Sequence, residues 1–106
     1  MENLGLSKEE ISGIQKVFAK YIQIEEVLLY GSRAMGNFKS TSDIDLALMG
    51  KDIDLTLQTK IEFDLDDLLM PYKIDISIYD RISNPKLLEH INRVGKKIYS
   101  RKRQVH

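Results

Sequence analysis

Residues 28–50 read LLYGSRAMGNFKSTSDIDLALMG, and the way apolar and charged residues follow one another there decides the fold. One apolar run ends at Gly31-Ser32, and the next opens with Asp43 and Asp45. Carboxylates are poor strand residues, so this placement needs a reason. From Ser42 to Met49 the pattern alternates, with Ile44, Leu46 and Leu48 on one face and Asp43, Asp45 and Ala47 on the other. That period of two predicts a strand.

Upstream, EEVLLY at 25–30 reads as a short buried strand that stops at Gly31. A single helical turn is expected from Ser32 to about Gly36. Before it, Ser7 and Glu10 have capping-box spacing, and Ile11, Ile14, Phe18 and Tyr21 then recur at helical intervals, which predicts a helix over 8–21. Downstream, Leu57, Ile61, Leu65, Leu68 and Leu69 predict a second amphipathic helix, ended by Pro71. KIDISIY at 73–79 alternates again, with Ile74, Ile76 and Ile78 inward and Lys73, Asp75, Ser77 and Tyr79 outward. Asn84-Pro85 reads as N-cap and first residue of a last helix to about Arg93, with Gly95 closing it. KKIYS at 96–100 reads either as a closing strand or as a frayed turn. The order predicts an α/β (α+β) fold, a mixed sheet of three to four strands with helices packed on one face.

At 106 residues the chain makes one domain rather than two. Its 42% hydrophobic and 30% charged residues are those of a globular protein, neither membrane-spanning nor disordered. No cysteine is present, which excludes disulfides, thiolate metal sites and thiol nucleophiles. No apolar run approaches a membrane span, and MENLGLSKEE lacks the pattern of a signal peptide, so a cytoplasmic location is expected. Sixteen basic and sixteen acidic residues cancel, which argues against nucleic acid as a partner. The basic end, NRVGKKIYSRKRQVH, reads first as a solvated terminus and second as a phosphate- or partner-binding tail.

Three Asp-x-Asp pairs occur, and geometry separates them. Asp64 and Asp66 fall in a helix, where positions two apart point to nearly opposite sides, so with Asp67 they read as a solvated face. Asp52 and Asp54 stand at a helix start, where acids cap. Asp43 and Asp45 in a strand share a face, and Asp75 sits on the corresponding face of a later strand. If those two strands are neighbours, three carboxylates meet, and unpaired they repel one another and take up protons. A divalent cation reverses that cost, and all-oxygen ligation suits Mg²⁺ or Mn²⁺ rather than zinc. The plainer alternative is that Asp43 caps a turn while Asp45 and Asp75 pair with lysines. Gly31 lets backbone approach a ligand closely and Ser32 offers a hydroxyl and free N–H groups, a combination suited to phosphate.

Gly31-Ser32, ten intervening residues, Asp43-x-Asp45 and a later strand Asp75 together resemble the signature of the DNA polymerase β-type nucleotidyltransferases. GSRAMGNFKSTSDIDLAL and PYKIDISIYD are similar to the minimal nucleotidyltransferases of prokaryotes within that superfamily. The resemblance implies a polymerase β-like fold over 1–106, with the N-terminal helix at 8–21, a catalytic core at 25–80, and a C-terminal helix and basic tail at 84–106. It implies two Mg²⁺ ions, with Asp43, Asp45 and Asp75 as metal-binding catalytic residues and Gly31 and Ser32 on the β- and γ-phosphates of ATP or another nucleoside triphosphate. It also implies a small helical HEPN-type or nucleotidyltransferase substrate-binding partner, whose tyrosine, or a small molecule it presents, accepts the nucleotide in a toxin–antitoxin pair. A non-catalytic antitoxin acting by complex formation is the alternative. Arg33 reads either as neutralising triphosphate charge or meeting an acidic partner, or as a surface arginine with no role. Lys39 and Lys73 are weaker candidates, Met35, Met49 and Met70 read as packing residues, Phe38 and Tyr79 as core or nucleotide rim, and His90 as structural.

Overall fold

The computed structural model describes residues 3–101. A helix α1 (Lys8–Ala19) leads into strand β1 (Ile24–Tyr30), a four-residue helix α2 (Ser32–Met35), strand β2 (Ile44–Gly50), helix α3 (Leu55–Asp66), strand β3 (Ile74–Ile78), a 3₁₀ turn (Tyr79–Arg81), helix α4 (Pro85–Val94) and strand β4 (Lys96–Ser100). The strands lie in the order β3-β2-β1-β4. β1 runs antiparallel to β2 and β4, while β2 and β3 are parallel. A parallel pair needs a long crossover, and α3 supplies it.

The local signals act as their chemistry dictates. Ser7 and Glu10 form the reciprocal capping box of α1. Asp54 accepts from Leu57 N at 2.9 Å to cap α3, and Asn84 caps α4 with Pro85 at its first position. Asp52 does not cap; it takes the left-handed turn before the helix, at φ 58. The ambiguous 96–100 segment is a strand because β1 offers it an open edge. α1 stops two residues short of the expected end, at Ala19.

The main core lies on one face of the sheet. Ile14, Val17 and Phe18 of α1 and Leu57, Ile61 and Leu65 of α3 pack there on Val27 and Leu29 of β1, Ile44, Leu46 and Leu48 of β2 and Ile76 and Ile78 of β3. Helices are not confined to that face, however. α4 lies against the other one, where Ile91 joins Tyr30 and Ala47 in a smaller cluster edged by Leu28, Tyr79, Ile82, Leu87 and Val94. Leu28 and Tyr30 of β1, with the small side chain of Ala47, give that face an apolar patch on which a helix can dock.

Two polar ties fix the periphery. Tyr21 donates its hydroxyl to Asp64 of α3, beside Lys20 at 3.2 Å from the same carboxylate, so Asp64 is not the freely solvated group that its place in the sequence suggests. Arg101 donates to the carbonyls of Ala19, Tyr21 and Ile24, anchoring the end of β4 to the C-terminal end of α1. The remainder of the basic tail, 102–106, lies outside the described residues. No helix among the described residues is long and apolar enough to cross a membrane.

Candidate active site

β1 ends at Tyr30 beside Asp45 of β2. There the chain turns away through Gly31, at φ 79, a conformation open to glycine and strained for side chains. A Cβ at this position would also overlap the Asp45 carboxylate. The turn passes straight into α2, whose first-turn N–H groups receive no side-chain cap. Gly36 closes α2 in the left-handed conformation, at φ 84.

The acidic residues come from the next two strands. Asp45 and Asp75 are register partners across the parallel β2–β3 pair, which sets their Cα atoms about 5 Å apart by the spacing of strands. Asp43 stands one residue before β2 rather than inside it, because the ladder begins where Ile44 N donates to Lys73 O at 2.8 Å. Asp45 is half-buried, whereas Asp43 and Asp75 are exposed. Burial pushes the Asp45 carboxyl above the usual carboxylate range, and the charges of Asp75 and Asp43 add to the push; His90 and Lys73 pull the other way. The three acids therefore feel one another across a shared face.

Among the described residues, no group of three or more His, Asp or Glu side chains is assembled to hold a metal ion as it stands. The donor chemistry nevertheless fits a hard divalent cation, being all carboxylate, with Asp45 raised first by burial and then by the charges of Asp75 and Asp43.

Arg33 is a correction to the expectation from sequence. It is only 1% exposed, and its guanidinium faces inward. Nε and Nη2 donate to Ser42 O at 3.2 and 2.8 Å, Nη2 also to Ser40 O at 3.4 Å, and Nη1 to the carbonyls of Leu4 and Gly5 at 3.0 and 3.2 Å. The rings of Tyr72 and Phe38 flank it, 4.5 and 5.4 Å from the guanidinium carbon. With its donors taken up by carbonyls, Arg33 binds the loop that leads to Asp43 instead of a triphosphate. Phe38 is accordingly a packing residue. Tyr79 is too, its hydroxyl donating to Asn92 Oδ1 at 2.8 Å.

His90 has the structural place read for it from the sequence, but its partner was not foreseen. Its Nε2 accepts the Gly31 N–H at 3.1 Å, and its ring meets Tyr30 edge-on, centroids 6.1 Å apart. No local signal marks it, because the contact joins residues 59 positions apart.

Solved structures share this architecture. A toxin–antitoxin with AMP-PNP aligns at a TM-score of 0.69 and 22% identity, over 90% of this chain and 74% of that one. The toxin–antitoxin MntA–HepT aligns at 0.66 and 19%, over 89% and 73%. A tri-AMPylated Shewanella oneidensis HEPN toxin in complex with MNT antitoxin aligns at 0.61 and 17%, over 90% and 73%. At such identities the likeness is one of fold. No curated protein matches by sequence. The family profile described as "Polymerase beta, Nucleotidyltransferase" matches residues 12–104, and on that breadth of match the chain belongs to the polymerase beta nucleotidyltransferase family.

Proposed function

We propose that this protein transfers AMP from ATP to a hydroxyl, that of a tyrosine on a small helical HEPN-type partner, as the antitoxin of a toxin–antitoxin pair in the cytoplasm. The observation that carries the reading is the Asp45–Asp75 register pair, joined by Asp43 and facing the uncapped Gly31-Ser32 turn. Two structural relatives, a toxin–antitoxin with AMP-PNP and a tri-AMPylated HEPN toxin in complex with MNT antitoxin, support the choice of nucleotide and partner.

Asp43, Asp45 and Asp75 would hold two Mg²⁺ ions, or Mn²⁺, and bound ions would supply Lewis-acid stabilisation of the attacking and leaving oxygens. Ser32 receives phosphate oxygens through its hydroxyl and amide, with Gly31 leaving room for them. The acceptor oxygen forms its bond at the α-phosphorus, the bond to the bridging oxygen breaks, and pyrophosphate leaves. Asp75, exposed at the outer end of the pair, takes the acceptor proton on a carboxylate oxygen. Among the described residues every element belongs to the sheet and the helices packed on it, and a partner would complete the acceptor pocket.

The test incubates the protein with Mg²⁺, labelled ATP and its HEPN-type partner. Label on a partner tyrosine, lost in Asp45→Asn, is the expected result. Absence of label with every nucleotide tried, together with full neutralisation of the partner by a variant lacking all three aspartates, would establish the non-catalytic antitoxin instead.

A further inference from the structure

Gly31 is the one residue of the turn with no side chain to restrain it, and its backbone has the widest conformational freedom. Its amide has just left the β1–β2 ladder and lies in a half-buried place, where an N–H needs an acceptor. The acceptor comes from the far end of the chain. His90, on α4, offers Nε2 at 3.1 Å, which leaves the ring proton on Nδ1. Ile91, the next residue, is fully buried against the sheet, and Asn84 caps the helix, so the imidazole is delivered from a rigid support. Tyr30, which precedes Gly31, braces the ring edge-on with planes at 80°. Both sides of the Tyr30–Gly31 peptide are thus tied to one side chain.

We propose that His90 is a positioning residue for the Gly31-Ser32 turn: by accepting the Gly31 N–H from α4, it fixes the peptide plane that aims Ser32 and keeps the turn at its working distance from Asp45. The tether is a property of the folded chain; its value for nucleotide binding rests on the proposed function. A second consequence is that α4, remote in sequence from the Gly-Ser and aspartate motifs, becomes part of the same site.

Three variants separate the roles of the ring. His90→Gln keeps an acceptor at about the reach of Nε2, His90→Leu keeps bulk alone, and His90→Phe keeps an aromatic edge for Tyr30 without the acceptor. In the full chain, amide hydrogen exchange of Gly31 should accelerate roughly three- to tenfold in the Leu and Phe variants, relative to Leu29 of β1, and stay near wild type in the Gln variant. Mg²⁺–ATP should bind several-fold more weakly to the Leu and Phe variants, with KM rising and kcat little changed, and the Gln variant should recover most of the affinity. Equal Gly31 exchange in all four proteins would overturn the tether. Faster exchange with unchanged Mg²⁺–ATP affinity would overturn the positioning role. If the wild-type protein itself fails to bind Mg²⁺–ATP, the nucleotide reading falls, and the exchange data alone decide whether His90 holds the turn.

Discussion

The two faces of the same four-stranded sheet differ as much as two proteins would. On one face, Ile44, Leu46 and Leu48 of β2 are fully buried beneath α1 and α3. One residue along, on the other face, Asp45 is half-buried beside Asp75 and Asp43, and α4 covers the sheet only through the small cluster at Ala47. Strand alternation makes this division possible, since adjacent residues answer to different solvents. The apolar face supplies the stability that lets the polar face hold like charges close together. In most domains such a cluster would be a defect; here it is tolerable because it occupies one face only.

Substitutions on each face sharpen the contrast. Asp45→Asn or Asp75→Asn should lower nucleotidyl transfer on the order of a thousandfold, since metal-held charge stabilisation amounts to several kcal/mol. Steady-state transfer assays read that loss. The same Asp45→Asn should not destabilise the metal-free fold. Because the folded pKa of Asp45 is raised above 3.8, the folded state holds that proton more tightly than the unfolded chain, and the group disfavours folding increasingly as pH rises through the raised value. Melting at pH 7 without metal should therefore be slightly higher for Asp45→Asn than for wild type, the difference vanishing near pH 3; a lower melting point at pH 7 would contradict the repulsive cluster.

Its neighbour Leu46 should behave in the opposite way. Leu46→Ala opens a cavity under α1 and α3 and should cost about 3 kcal/mol in denaturant unfolding, while leaving transfer by the folded fraction near wild type. Arg33 tests the boundary between the faces. Arg33→Lys offers fewer donors in a different geometry, so carbonyls of the 40–42 loop and of Leu4 and Gly5 lose partners. A loss of about 2 kcal/mol of stability is expected, with ATP affinity reduced less than stability. Unchanged melting with sharply weaker ATP binding would return Arg33 to the phosphates.

The smallest effect belongs to the tie between α1 and α3. Tyr21→Phe removes the bond to Asp64 and should cost about 1 kcal/mol. The hydrogen bond to Asp64, then burial, push the Tyr21 phenol up to about 12 and the same bond holds the Asp64 carboxyl low. The sign follows for each: the tyrosine's contribution is complete below its ordinary value of 10.0 and fades as pH rises through about 12, while that of Asp64 fades as pH falls through its lowered value. Wild type and Tyr21→Phe should converge in stability at both extremes of pH.

How much of this was legible beforehand depends on the range of the interaction. Helix caps, alternation in β2 and β3 and the glycine at the strand end are local, and the sequence by itself determined most of the elements and the face that Asp45 and Asp75 each take on their own strands, because periods of two and 3.6 are properties of neighbouring residues. The pairing of β2 with β3 and the addition of 96–100 to the sheet came only with the fold. Tertiary structure alone decided that Arg33 turns inward, that Asp64 meets Tyr21, that α4 crosses to the polar face and that His90 reaches Gly31. Each of those depends on which surfaces meet after the chain has closed on itself, and a buried guanidinium or a half-buried imidazole carries no mark in its neighbours along the chain.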